Sequence, residues 1–301
     1  MKKAVVICFL LLDLVSLSVI AQPYADIIGF NCQTFSSDYK SNTARKNKTD
    51  DYFLNFFVPK EFKNGNTLLV RVNSELMSST LTPDSSYSST LYSVSLPLGM
   101  QFVSKSKKWK TVLIVLPKIA SDFKDALDAY DYQFGGIFLE NYQHSETFKV
   151  KFGAYFNREA FGNFFMPIIG LDWKVNDRLY MYGNMPNFYR IEYALKRNKL
   201  YGGLGFRSLT RSFRLSKADN YDYVRYNEIQ LKLFVDYFVA KKILVFAEVG
   251  YSLGQNPWQF TYSTKDETFR NPIYTPLNPY PVFNAGFAYR VRFDLTEKLP
   301  E

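Results

Sequence analysis

The chain has 301 residues, a formal net charge of +9 and 18% aromatic residues, but only two cysteines and one histidine. After residue 21 no uncharged apolar run approaches the roughly 20 residues that a membrane-spanning helix needs, so a helical membrane protein is excluded. The single histidine, and the lack of an HExxH, G-x-S-x-G or Cys/His cluster pattern, predict that the protein is not an enzyme and holds no metal or other cofactor.

The first 21 residues have the pattern of a secretory signal peptide. Lys2 and Lys3 precede an apolar run at 4–12, and small residues lead up to Ala21. We therefore predict export, cleavage after Ala21, and one domain over residues 22–301. Removal of the leader leaves Cys32 as the one cysteine, so no intramolecular disulfide can stabilise the mature chain.

Alternation of apolar and polar residues recurs through the middle of the chain. It is found at 148–157, 189–196, 229–239 and 243–253, where one face is apolar and the other polar or charged. A period of two is typical of a β-strand, because successive side chains point to opposite faces. Long strands with a continuous apolar face predict an all-β fold.

Short polar turns and longer segments alternate along the chain. Turns are predicted at 63–66, 104–108, 143–145, 175–178, 197–198 and 240–241. Longer loops are predicted at 38–50, 79–88, 118–131, 159–163, 183–186, 214–221 and 254–280. This asymmetry is typical of outer-membrane barrels, which have short periplasmic turns and longer outer loops. It predicts a transmembrane antiparallel up-and-down β-barrel of 14 strands, or of 12 if the short piece 178–183 does not span.

Residues 186–206, PNFYRIEYALKRNKLYGGLGF, resemble segments of uncharacterised barrel families of Bacteroidota. The resemblance rests on an Arg-x-Glu-Tyr strand, formed here by Arg190, Glu192 and Tyr193, and on a Tyr-Gly-Gly hairpin partner at 201–203. It implies an outer-membrane fold and compartment, and it implies no particular chemistry.

Charged residues on the faces opposite the apolar ones are candidates for lining the lumen. They are Arg71, Lys149, Lys151, Arg190, Glu192, Lys196, Lys232, Asp236, Glu248, Arg290 and Arg292. Basic residues outnumber acidic ones in this set, which predicts a preference for anions in an open pore. The alternative is that these groups pair across a filled interior. Nucleic acid is not an expected partner, because the basic residues alternate with lipid-facing ones and form no patch.

Two further segments were considered for function. His144 falls in a predicted periplasmic turn, where a base could not act on a substrate at the outer face. The loop 254–281 has five prolines and several aromatic residues, and it could grip a ligand, constrict the lumen or cap the barrel.

The chain ends on an amphipathic strand at 282–293. Gly286, Tyr289 and Phe293 resemble the assembly signal in the closing strand of Gram-negative outer-membrane β-barrels, although eight residues follow the Phe. The resemblance implies insertion into the outer membrane, contact with its lipid and lipopolysaccharide, and recognition by the barrel-assembly machinery.

Two functional hypotheses follow. The first is an outer-membrane barrel that passes or binds small solutes, with a bias toward anions. The second is a non-conducting barrel that acts as a structural or surface-interaction protein through its outer loops. A soluble secreted sandwich is the rival at the level of the fold, and the oligomeric state is left open.

Overall fold

The computed structural model describes residues 23–82, 89–159, 162–216, 223–263, 268–274 and 276–293, without the side chains of 254–274. The predicted leader and the eight residues after Phe293 lie outside the described residues. The strands are Tyr24–Tyr39 (β1), Asn42–Glu61 (β2), Thr67–Thr82 (β3), Ser89–Ser95 (β4), Leu98–Val103 (β5), Trp109–Ser121 (β6), Tyr132–Gln143 (β7), Phe148–Glu159 (β8), Gly162–Lys174 (β9), Leu179–Met185 (β10), Phe188–Lys196 (β11), Leu200–Arg214 (β12), Tyr223–Ala240 (β13), Ile243–Ser263 (β14), Thr268–Tyr274 (β15) and Tyr280–Arg292 (β16).

These strands form one closed antiparallel barrel. Neighbours in the chain pair with each other, and β16 closes the ring by pairing with both β14 and β1. β4 and β5 both lie between β3 and β6, so they act as one wall strand that is interrupted near Pro97. Proline has no N–H for a strand ladder, which accounts for the interruption. Among the described strands, β15 pairs with β14 alone and lies outside the ring.

The wall therefore has 14 strands, and the predicted all-β up-and-down barrel is confirmed. The alternative of 12 strands depended on the short segment 178–183. In the structure this segment belongs to β10, which pairs with β9 on one side and with β11 on the other. Although β10 has only seven residues, it is part of the wall.

All six predicted short turns connect strands at one end of the barrel, where the first and last described strands also begin and end. We call this the turn end and the opposite one the loop end. Three predicted loops, 38–50, 183–186 and 254–280, are wrong in part, because most of each is paired strand. Residues 42–51 are polar on both faces, so period-two alternation could not reveal the strand there.

The two faces of the wall differ in polarity. On β13, Leu231, Leu233 and Val235 are exposed on the outside, while Lys232 and Asp236 are buried inside. This is the reverse of the pattern in a water-soluble β-sandwich, whose strands bury their apolar face. In the described part of the chain, no helix is long and apolar enough to cross a membrane.

Candidate functional site: the barrel interior

The turn-end half of the interior holds four cations and four carboxylates, which we call the turn-end network. Its members are Asp26, Arg190, Glu192, Lys232, Asp236, Glu248, Arg290 and Arg292. Arg290 contacts Asp26 at 2.6 Å and Asp236 at 2.5 Å, and Arg292 contacts Glu192 at 2.6 Å. Buried charges are tolerated when they are paired in this way, and the formal charges of the network cancel.

Two tyrosines connect opposite sides of the turn-end network through the interior of the barrel. Tyr24 on β1 and Tyr182 on β10 meet edge to face, and their hydroxyl oxygens lie 3.1 Å apart. Arg190 donates to the Tyr24 hydroxyl at 2.7 Å, and the Arg290 guanidinium lies 3.5 Å from the centre of the Tyr24 ring. Since five wall strands separate β10 from β1 on the shorter way round, these contacts join nearly opposite walls.

A second group of charges, the loop-end network, crosses the other half of the interior. Arg211 on β12 contacts Asp51 on β2 at 3.2 Å, Glu75 on β3, and Glu228 on β13 at 3.5 Å. The Tyr280 hydroxyl donates to Glu228 at 2.8 Å. One cation thus faces three carboxylates, so this network is acidic.

Beyond Arg211, β12 stays paired with β13 but bends across the mouth of the barrel to reach β6. The Asp122 N–H, just after β6, donates to the Arg214 carbonyl at 3.1 Å, and the Asp122 carboxylate accepts the Ser216 N–H at 3.0 Å. Apolar side chains pack around this contact, namely Met77, Leu91, Ala120, Phe213, Leu215 and Val224. Because β7 to β11 lie between β6 and β12 in the wall, the contact narrows the loop end.

A smaller group of charges connects β8 and β9. The Lys151 ammonium contacts the Asp172 carboxylate at 2.5 Å, and the Lys149 ammonium lies 3.9 Å from the same carboxylate. One carboxylate therefore serves two lysines, and this group is basic.

A cavity of about 710 Å³ lies between the two networks. Asp26 of the turn-end network borders it, as do Glu75 and Arg211 of the loop-end network. Amides, hydroxyls and apolar side chains line the rest of its wall, including Asn55, Asn73, Ser95, Leu69, Ile114 and Leu139. The cavity therefore offers both polar and apolar surface to a solute.

Three cations that line the cavity have no carboxylate partner within 4.0 Å among the described residues: Arg71, Lys118 and Arg207. Each lies over an aromatic ring instead. The distances to the ring centres are 4.7 Å for Arg71 and Phe57, 5.0 Å for Arg207 and Phe53, and 5.8 Å for Lys118 and Phe213. Cation–π contact is weaker than a buried ion pair and leaves positive charge available to a ligand.

Ten of the 11 candidate lumen residues point into the interior, and Lys196 does not. It is exposed at the turn end, because the pairing between β11 and β12 shifts between Ala194 and Lys196. Nine of the ten belong to the turn-end network or to the β8–β9 group, and Arg71 lines the cavity.

The predicted excess of positive charge in the lumen is much reduced by carboxylates that the sequence analysis did not place there. They are Asp26, Asp51, Glu75, Glu159, Asp172 and Glu228. These residues lie in segments that were predicted as loops or given no structure. The period of two therefore could not show that their side chains point inward. What remains of the predicted anion bias is local to the cavity.

Arg207 and Arg211 were not among the predicted lumen residues either. Both lie on the inward face of β12, two and six residues beyond Gly205. The alternate positions Ser208, Thr210 and Ser212 are polar as well, which concealed the alternation. Extending the period of two from Gly203 and Gly205 would have found both arginines.

The three residues of the resemblance to the assembly signal lie on the closing strand β16. At Gly286 the strands β16 and β1 lie close together, since an added Cβ would be 2.2 Å from the Phe30 carbonyl oxygen on β1. Tyr289 lies on the outer side of the strand, and the Phe293 N–H donates to the Pro23 carbonyl at 2.9 Å. Recognition of these residues by assembly machinery stays a prediction.

Among the described residues, neither His144 nor a group of metal-binding side chains forms a site. His144 lies in the turn between β7 and β8, where its N–H donates to the Phe148 carbonyl at 3.1 Å. Within the described ranges, no three His, Cys, Asp or Glu side chains are arranged to hold a metal ion. The aromatic side chains of the loop 254–281 singled out above, from Trp258 to Tyr274, lie outside the described residues.

Comparison with known proteins gave one family and several distant structures. The family described as "Domain of unknown function (DUF6268)" matches residues 70–290, which is well over half of the chain. No curated protein matches.

Three solved structures represent the structural similarities. An outer-membrane channel from Pseudomonas putida F1 has 10% identity and a TM-score of 0.43, over 88% of this chain and 94% of that one. The toluene transporter TodX from P. putida has 10% identity and a TM-score of 0.42, over 88% and 89%. The β domain of the Bordetella autotransporter BrkA has 10% identity and a TM-score of 0.34, over 89% and 100%. At these scores the similarities carry no argument about function.

Proposed function

We propose that this chain, which belongs to the DUF6268 family, is an outer-membrane β-barrel that binds small anionic solutes in its interior cavity and passes them across the membrane. The observation that carries the proposal is the set of three cavity-lining cations, Arg71, Lys118 and Arg207, none of which has a described carboxylate within 4.0 Å.

The outer surface supports the placement in a membrane. Large apolar side chains are exposed around the whole wall, among them Phe56, Val115, Phe134, Phe165, Ile169, Leu204, Leu233, Val249 and Phe287. Exposed apolar area on this scale is unfavourable in water, whereas a closed barrel in lipid satisfies its backbone hydrogen bonds and buries that surface. The predicted signal peptide and closing strand support the outer membrane as the membrane concerned.

The location of three cations in the cavity favours an anionic solute, whereas the net charge of the two networks does not. The turn-end network is neutral and the loop-end network is acidic, so neither would attract an anion. In the cavity between the two networks, Arg71 and Arg207 each have a guanidinium group. The planar fork of N–H donors on each suits carboxylate or phosphate oxygens. Lys118 adds a third positive charge to the same cavity.

The test is ion selectivity in a planar bilayer. Refolded protein is inserted, and its reversal potential is measured across a gradient of potassium chloride. We expect a preference for chloride in the unmodified barrel. Replacement of both Arg71→Gln and Arg207→Gln should remove most of that preference, because two unpaired charges leave the cavity.

The matched control is Arg178→Gln, which removes an exposed arginine from the short turn between β9 and β10. It should leave the reversal potential unchanged. A conducting barrel whose selectivity is equal in the double variant and the control would reject the anionic solute.

Both cross-barrel networks favour a second candidate, a folded barrel that does not conduct and acts through its outer segments. On this alternative, the heat-dependent gel shift of a folded barrel appears without any conductance steps. Deletion of 254–281 should then abolish a surface-binding phenotype while the gel shift persists.

A further inference from the structure

The barrel wall has a gap between β9 and β12, on the loop-end side of the short strands β10 and β11. The pairing of β9 with β10 ends at Ile169 and Met185, so 162–168 pair only with β8. The pairing of β12 with β11 ends at Arg207 and Phe188, beyond which β12 pairs with β13 alone until it reaches β6. We call this gap the side window.

The window has definite margins. The hairpin between β10 and β11 closes it toward the turn end, where the Ser208 N–H donates to the Asn187 carbonyl at 2.8 Å. Toward the loop end, the Ser212 hydroxyl donates to the Glu159 carboxylate at 2.5 Å, which holds β12 against the end of β8. Pro167 lies within the unpaired part of β9, and proline is typical of a strand edge that has no partner.

The window lies at a level that we place in the lipid. Phe165 and Ile169, on the outer face of β9, are 66% and 68% exposed and are the most exposed of the large hydrophobic residues described. An open sheet edge is costly in lipid and is tolerated where it lines a polar cavity. The cavity reaches this place, since Asn184 at the end of β10 and Arg207 and Leu209 on β12 all line it.

We infer that the solute of the cavity is an amphiphilic anion with a single apolar chain, and that it reaches the cavity through the side window. The anionic head binds near Arg207, at the corner where β12 leaves β11. The chain lies in the window against the inward side chains of β9, which are Phe164, Met166 and Ile168. This inference rests on the proposed function and adds the class of solute and its route.

The experiment uses a reporter tryptophan and a brominated probe. In a protein whose Trp109, Trp173 and Trp258 are all replaced by Phe, Met166→Trp places the reporter in the window. Leu233→Trp, on the outer face of β13, reports the lipid elsewhere. The probe is dodecanoate with bromine on its last carbon, added to the barrel in lipid vesicles. We expect saturable quenching of the window reporter, at concentrations that leave the β13 reporter unquenched.

Binding of the anionic head is tested with variants of Arg207 in the protein that carries the Met166→Trp reporter. Arg207→Gln should raise the half-quenching concentration at least tenfold, Arg207→Lys should restore most of the affinity, and Arg178→Gln should have no effect. Acetate and dodecyltrimethylammonium should compete poorly, because one lacks the chain and the other has the wrong charge. Folding of every variant is checked by the heat-dependent gel shift.

Equal, unsaturable quenching at both reporters would overturn the inference, and so would window quenching that does not respond to Arg207→Gln. The reversal potential of the double variant described above separates the two claims. If that variant loses its chloride preference while both reporters are quenched alike, the amphiphile is rejected and the small anionic solute stands. If neither measurement responds, both are rejected.

Discussion

At the scale of the residue, the interior contains two kinds of cation that differ in what removal would do. Arg290 and Arg292 hold carboxylates from other strands, so they stabilise the barrel. Arg71 and Arg207 lie over aromatic rings and hold no described carboxylate, so the fold depends on them less. Mutation of the paired arginines should lower the stability of the barrel, and mutation of the arginines over aromatic rings should change the binding of solutes.

The clearest stability test is Arg290→Gln. It removes the cation that Asp26 and Asp236 share and leaves Asp236 with Arg190 alone, at 3.5 Å. Breaking a buried ion pair by removing one partner costs about 3–5 kcal/mol, because the remaining charge stays desolvated. We expect a lower urea midpoint for unfolding from lipid vesicles, followed by the change in tryptophan fluorescence.

Lys196→Gln is the control for Arg290→Gln, since Lys196 was predicted on the same face but is exposed at the turn end. Its midpoint should equal that of the unmodified protein. If the two variants unfold at the same urea concentration, the turn-end network does not stabilise the barrel.

At the scale of the element, glycines set how closely neighbouring strands can pack. On the inward face of β12, a Cβ at Gly203 would lie 1.9 Å from the Ile191 carbonyl oxygen, while a Cβ at Gly205 would find its nearest atom at 3.8 Å. Both positions share a strand and a face, so they form a matched pair.

Gly203→Ala should therefore destabilise the barrel by about 1–3 kcal/mol, because β11 and β12 must separate to admit the methyl group. Gly205→Ala should be tolerated. The fraction folded is measured by the gel shift at increasing temperature. Equal melting of the two variants would show that the strands adjust without cost.

At the scale of the whole molecule, the turn end should sit at a membrane interface. Trp109 at the start of β6 and Trp173 near the end of β9 are 41% and 43% exposed, and both contact aromatic neighbours on β8. Tryptophan is enriched where hydrocarbon meets headgroups, and barrels carry such aromatic girdles.

This placement predicts the depth of both tryptophans. In a Trp258→Phe protein, lipids with bromine near the headgroup should quench the fluorescence more strongly than lipids with bromine near the chain end. Equal quenching at both depths would contradict the girdle. No quenching at either depth would place the barrel outside the bilayer, as the soluble rival requires.

The sequence by itself determined the all-β class, the strands where apolar and polar residues alternate, six turns and the inward face of most candidate residues. These features depend on local patterns, since the period of two fixes each side chain's face and polar turns fix where strands reverse. It failed at 42–51, where both faces are polar, and at 208–212, where Leu209 alone is apolar, so the pattern is lost in both.

Only the tertiary structure decided which charges pair, where the cavity lies and where the wall opens. Arg211 meets Asp51 and Glu75 from 160 and 136 residues away, and Arg290 meets Asp26 from 264 residues away. Such partners depend on which walls the closed ring brings together, and alternation within a strand carries no information about that. The same holds for β12, whose departure toward β6 follows from the shortness of β10 and β11 beside it.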